Sequence, residues 1–240
     1  PSHCSIDALD TARPVGPRVW TADGAPWTRV LEKTALRGDT ANLLVVDGDR
    51  PWTHVRLNIY PDGGVARLRV YGDAAIDWRA VAKRKLVVDL ASIRWGGLVL
   101  GANDMHYGAK DNLIMPDRAK SMADGWETRR RRGPGHDWVV VRLGAPGRLT
   151  RVEIDTNHFK GNYPAEASLE ACFLPGASLD QLASAAWREV LPKSALGPHR
   201  RHVFSKLLAR ASEPVSHVRL NIFPDGGVSR LRVHGLVDQA

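Results

Sequence analysis

Three polar stretches concentrate residue types that can move protons or hold anions. In DTNHFKGNYP (155–164), Asp155 stands three residues before His158, and Gly161 and Asn162 follow as a turn. A histidine beside a carboxylate can transfer a proton near neutral pH. The structural alternative is a loop histidine bonded to a backbone carbonyl. In DGWETRRRR (124–132), Asp124 and Glu127 precede Arg129 and Arg130, a set that could hold an anion beside a general acid. Ordinary ion pairs are the alternative. In NDMHYGAKDNLIMP (103–116), Asp104 and His106 are separated by one residue and would share a face of a strand. That spacing leaves room for a divalent metal, but no HExxH motif or cysteine set supports one, so no metal ligand and no cofactor is assigned.

Such residues need a rigid frame, and the frame is written twice. HVRLNIYPDGGVARLRV at 54–70 recurs as HVRLNIFPDGGVSRLRV at 217–233, identical at fifteen of seventeen positions and offset by 163. Val55, Leu57 and Ile59 alternate with His54, Arg56 and Asn58, the period of a half-buried strand. PDGG supplies turn residues, so the segment predicts a hairpin. Its polar side carries Arg56, Asn58, Arg67 and Arg69, and in the second copy Arg219, Asn221, Arg230 and Arg232. An ion-paired sheet face and bidentate carboxylate recognition are both open to these arginines. The repeat extends outwards: PSHCSIDAL (1–9) aligns with PAEASLEAC (164–172), and WTRVLEKTAL (27–36) with WREVLPKSAL (187–196) at offset 160. DWVVVRLGAPGRLTRVEID (137–155) reads as a further hairpin around GAPG. Short helices are predicted at Asp77–Lys85 and over 178–186, the second with Ser178 as N-cap. The three polar stretches flank strands, which places them in loops at a sandwich rim.

The many short strands between turn signals predict an all-β protein of two β-sandwiches. The expected division is 1–74 as the C-terminal half of a first repeat, 75–92 as a linker and 93–240 as a complete second repeat. About ninety residues with motifs of their own precede the second copy, whereas the first copy begins at Pro1. The first domain is therefore expected to lack its N-terminal half, through truncation or cleavage. Of the 240 residues, 43% are hydrophobic and 25% charged, with no apolar run near the length that spans a bilayer, so no membrane partner is expected. Net charge is +8, much of it in Arg129–Arg132. No aromatic residues interleave that run, so it reads as a solvated loop or a small-anion site, and no nucleic-acid partner is expected. Cys4 and Cys172 lack metal spacing and read as two reduced thiols of a cytoplasmic protein.

Taken together, DGWETRRRR, GHDWVVVRLG, VEIDTNHFKGNYP and the twice-written HVRLNI[YF]PDGGV[AS]RLRV resemble the allantoicase family over nearly the whole chain. The resemblance implies tandem jelly-roll, galactose-binding-like β-sandwiches that self-associate. It also implies a hydrolase of linear amidines that splits allantoate into ureidoglycolate and urea in purine breakdown. Such a site needs a carboxylate anchor, a general acid and a general base. The expected assignment makes Arg129, Arg130 or Arg219 the anchor and Glu127 with His158 the proton-transfer pair. Asp155 and Asn162 orient the histidine and the ureide, and Asn221 adds a substrate contact. The competing class is a non-catalytic ligand- or carbohydrate-binding sandwich, for which Trp126 and Trp138 are candidate platforms.

Overall fold

Period-two alternation makes the same three strands in both copies of the repeat. In the computed structural model, which describes residues 1–11, 16, 25–209 and 212–238, the chain divides into two units, Pro1–Ala75 and Ile76–Ala240. The first unit is a three-stranded antiparallel sheet, β2–β1–β3, of β1 (His3–Leu9), β2 (Thr28–Ala35) and β3 (His54–Tyr60). The second unit has the matching trio β8 (Glu166–Cys172), β9 (Arg188–Ala195) and β11 (Val215–Phe223) in the matching order β9–β8–β11. Registers coincide as well: His3 faces Tyr60 as Glu166 faces Phe223.

The polar faces of the two trios are built alike. In the first unit, Arg56 Nη2 and Asn58 Nδ2 each donate to Asp7 Oδ2 at 2.8 Å, Asn58 also reaches Ser5 Oγ, and the Arg56 guanidinium lies over Trp27. In the second, Arg219 Nε and Asn221 Nδ2 each donate to Glu170 Oε2 at 2.8 Å, Asn221 reaches Ser168 Oγ, and Arg219 lies over Trp187. The polar identities of the repeat thus keep one carboxylate-centred network in place twice, around buried Asp7 and half-buried Glu170. In the first unit Arg29 Nε joins it on Asp7 Oδ1. Burial opposes ionisation of Asp7, but the bonds from Arg56, Arg29 and Asn58 outweigh it and lower its carboxyl from the ordinary 3.8 to about 2. A depressed folded value contributes stability that is complete above pH 3.8 and is lost as pH falls towards 2. With the arginine partners half-exposed, this is worth about 1–2 kcal/mol. Thermal midpoints measured from pH 5 to pH 2 should therefore decline less steeply in Asp7→Asn than in the unaltered chain. Parallel curves would contradict this account of Asp7.

The second unit completes a sandwich. It adds α1 (Trp78–Lys83), β4 (Val87–Asp89), β5 (Leu98–Ala102), β6 (Trp126–Glu127), β7 (Asp137–Asp155), α2 (Leu179–Leu182), β10 (Arg201–Phe204), β12 (Gly227–Val228) and β13 (Arg230–Val237). Both helices start at side-chain caps: Asp77 accepts from the Ala80 amide, and Ser178 forms a capping box with Gln181. The predicted GAPG hairpin is not formed. Residues 137–155 are one nineteen-residue strand, whose first half pairs β11 and β5 and whose second half pairs β13 and β10. One strand therefore serves both layers. Its glycines mark close approaches rather than a turn: a Cβ on Gly144 would lie 1.5 Å from the Trp95 carbonyl oxygen, and one on Gly147 2.6 Å from that of Leu236. The core phase slips from Val139, Val141 and Leu143 to Val152 and Ile154 across a register shift near Arg151.

The hairpin predicted around PDGG is not formed either. β11 and β13 are not paired with each other; each pairs a different half of β7. PDGG is thus a passage between layers. In the first unit residues 65–70 form no strand. Leu68 and Val70 are 45% and 63% exposed, whereas their counterparts Leu231 and Val233 are fully buried. An alternating sequence becomes a strand only where a neighbouring strand accepts its hydrogen bonds.

Candidate active site

The second PDGG passage is the hub of the rim. On one side, β12 pairs β6, so Gly227 faces Glu127, and the Thr128 amide donates to the Gly226 carbonyl. On the other side, the Gly227 amide donates to the Asn162 carbonyl at 2.8 Å, the Ser229 amide to the Asp155 carbonyl at 2.7 Å, and Ser229 Oγ to the Asn157 carbonyl. Gly226 has φ 133°, and a Cβ there would meet the Pro164 nitrogen at 2.8 Å, so only glycine fits. Gly63 repeats this in the first unit, with φ 124° and the Pro1 nitrogen at 2.6 Å from such a Cβ. The polar stretches 124–132 and 155–164 thereby meet across one extended segment.

Within that rim, Asn162 Nδ2 donates to Glu127 Oε1, joining two of the expected site residues directly. Asp155 is almost fully buried; its Oδ1 accepts the Asn157 amide at 3.0 Å and its Oδ2 lies 3.5 Å from Arg118 Nε. Asp155 thus shapes the backbone just before His158 rather than touching the imidazole. His158 has φ 70°, a left-handed conformation uncommon outside glycine. Its amide donates to His199 Nδ1, and its Nε2 lies 3.0 Å from the Ala119 carbonyl. A carbonyl only accepts, so Nε2 carries the proton and Nδ1 of the neutral ring holds a lone pair. The histidine is therefore both carbonyl-bonded and able to take a proton. No hydrogen bond joins Glu127 to His158 among the described residues.

The remaining expected residues lie elsewhere. Arg129 is committed to Asp104, through its amide at 2.9 Å and its Nε at 3.2 Å, and Arg130 is exposed. Asp104 also accepts the His106 amide, so this pair forms a turn and not one face of a strand. Arg219 and Asn221 belong to the Glu170 network on the outer face of β11, beside the small cluster of Val140, Cys172 and Leu182 under α2. They do not join the rim. Trp126 is fully buried with its indole N–H on the Asp104 carbonyl, which removes it as a sugar platform; Trp138 is half-buried against the cluster under α2. Cys4 and Cys172 are free and buried, and burial pushes the Cys172 thiol up.

Next to Asp155 opens a cleft of about 340 Å³ on the outer face of β13, β7 and β10, lined among others by Arg118, Glu153, Arg201, Arg230 and Arg232. Arg118, Glu153 and Arg201 were not among the expected site residues, because nothing local in the sequence brings 118, 153 and 201 together. His234 closes one side, its pKa lowered by burial despite nearby Asp89 and Glu153.

Residues 1–75 and 88–238 match the family model described as the allantoicase repeat. The chain belongs to the allantoicase family. It is 50% identical over 215 residues to a probable allantoicase of Pseudomonas paraeruginosa, covering 89% of this chain and 64% of that protein. It is 44% identical to one of Photobacterium profundum, over 98% of this chain and 70% of the relative. The crystal structure of allantoicase from Saccharomyces cerevisiae superposes with a TM-score of 0.78 at 35% identity, over 98% of this chain and 68% of that one. The chain thus spans somewhat under two thirds of the length of several bacterial relatives it matches. The allantoicase repeat model covers both copies of HVRLNI[YF]PDGG, and with them the PDGG passage of each unit. No helix among the described residues is long and apolar enough to cross a membrane.

Proposed function

We propose that this chain hydrolyses allantoate to ureidoglycolate and urea, the activity for which its relatives are named. The observation that carries the reading is the family match through both copies of the repeat, at about half identity to proteins named probable allantoicases. The rim is suited to the chemistry. Allantoate bears a carboxylate and two ureido groups on one carbon. As the C–N bond to one ureido group breaks, the leaving nitrogen takes a proton and the remaining ureido nitrogen supplies electron density to the carbon. Water then adds to that carbon and gives up a proton.

In this reading Glu127 delivers the proton to the departing urea. Its Oε1 is fixed by Asn162, which also has a carbonyl oxygen to orient a ureido N–H. His158 Nδ1 takes the proton from water, with Nε2–H held on the Ala119 carbonyl to fix the tautomer. Asp155 positions the loop that carries the ring. Of the residues expected to bind the carboxylate, Arg129 and Arg130 lie at the edge of the rim, whereas Arg219 and Asn221 are held in the Glu170 network away from it. In this reading the protein acts in the cytoplasm, which two free buried thiols support, self-associates and takes no nucleic-acid partner. The test is urea release from allantoate, with and without added divalent cation and after chelation. Release is expected from the purified chain; none under any of these conditions would overturn the reading, and loss on chelation would assign a metal.

A further inference from the structure

Arg230 and Arg232 lie two residues apart on β13, so their side chains leave the same face of the strand and line the cleft beside Asp155. Arg230 is only 6% exposed. Its Nε donates to the Asp117 carbonyl at 3.1 Å, and its Nη1 to the carbonyls of Asp124 and Ser229 at 2.6 and 2.7 Å. Among the described residues no bond reaches its Nη2, and the Asp124, Asp155 and Asp117 carboxylates act on it only at longer range. Arg232 donates through Nη2 to the carbonyls of Met115 and Asp117 at 2.7 and 2.8 Å, and its Nε lies 3.5 Å from the Asp89 carboxylate. Its Nη1 is buried and has no partner among the described residues.

The Asp117 carbonyl therefore accepts from both guanidinium groups and holds two positive charges side by side. To do so, Asp117 adopts φ 63°, a region that costs a non-glycine residue free energy. Arg230 is fixed by backbone oxygens that carry no net charge, and Arg232 by two such oxygens with the Asp89 carboxylate at 3.5 Å; among the described residues each keeps one nitrogen without a bond. A guanidinium stays protonated at any accessible pH, and an unfilled buried donor is costly. The outer arginines of the cleft are held more loosely, Arg118 at 3.5 Å from Asp155 and Arg201 at 3.6 Å from Glu153. By contrast, Arg219 is neutralised by the Glu170 carboxylate through Nε and Nη2, and Arg129 pairs with the Asp104 carboxylate through Nε.

We infer that Arg230 and Arg232 form the seat of a small carboxylate, which in the proposed reaction is the carboxylate of allantoate. The ligand's identity rests on that reading; the anion seat itself rests on the unused donors. The seat would bring the substrate beside Asp155, at the base of the loop that carries His158, and would make the twin arginines binding residues in place of Arg129, Arg130 and Arg219. The test is calorimetric binding of allantoate and of its uncharged methyl ester. The unaltered chain should bind the acid at least about tenfold more tightly than the ester. Arg232→Gln should abolish that preference by weakening the acid alone, and Arg230→Gln should do the same if it folds. Equal binding of acid and ester, no binding of either, or an unchanged preference in folded Arg232→Gln overturns the assignment. The acid–ester comparison on the unaltered chain needs no variant, so a folding defect does not remove the test. Urea release is followed separately. Acid preference without urea release would sink the hydrolytic reading and leave the seat, whereas urea release without acid preference would do the reverse.

Discussion

Glu127→Gln and His158→Ala should each lower the rate of urea release from allantoate by about 10²–10⁴-fold, the usual scale of one acid–base group. The glutamine keeps the shape of Glu127 and can still accept from Asn162, so the loss would report proton delivery and not a collapsed rim. His158→Ala removes the Nδ1 lone pair and also the bond to the Ala119 carbonyl. His158→Gln is the partner experiment, because it can restore a donor to that carbonyl without restoring a base. If the glutamine variant recovers activity, the histidine positions the loop and is not the proton acceptor. Thermal midpoints of both substitutions should stay close to the unaltered chain, since Glu127 and His158 are only partly buried. Folded variants that release urea at near the original rate would remove both residues from the chemistry.

The strands were legible because their period is local. Val55, Leu57 and Ile59 show the alternation within seven residues, and the matching registers of the two trios follow from it. Pairing is a different kind of information. PDGG has the composition of a hairpin turn, yet the two arms it joins in the second unit find separate partners on β7. GAPG misleads in the same way, because its glycines relieve contacts with Trp95 and Leu236 that lie far away in sequence. Short-range rules predict that the chain can turn, whereas packing of remote segments decides whether it does.

The same distinction divides the candidate site. Glu127 and Asn162, thirty-five residues apart, could be named from residue type and loop position, and their side chains meet. The arginine face was visible as a repeated pattern, but Arg219 and Arg230 look alike in sequence. Glu170 on the adjacent strand neutralises the first, while three backbone carbonyls hold the second and leave one nitrogen without a bond among the described residues. Those carbonyls come from the 115–124 excursion and from Ser229, and no side-chain pattern encodes where a carbonyl points. Anion seats assembled from backbone oxygens and spare guanidinium nitrogens are therefore invisible to motif reading.

Gly227→Ala should be among the most damaging single-methyl additions in the chain, and Gly64→Ala, the same change in the other copy, should be nearly silent. A Cβ on Gly227 would sit 1.9 Å from Phe159 Cε1 and 2.1 Å from Cδ1, whereas none of the described residues comes within 4 Å of the Gly64 Cβ position. Phe159 is fully buried, and it cannot retreat, because the space at its other edge is closed by Gly125, where a Cβ would already lie 2.7 Å from Cε2. Overpacking of this kind costs about 3 kcal/mol, roughly 6–12 °C in thermal midpoint for a unit of this size. The damage should reach function, because the Gly227 amide is bonded to the Asn162 carbonyl and Gly227 pairs with Glu127. Phe159→Leu in the Gly227→Ala background should recover part of the lost midpoint by opening room for the methyl group. Equal effects of Gly227→Ala and Gly64→Ala would mean that the two glycines serve backbone conformation alone, and that the Phe159 contact does not govern the rim.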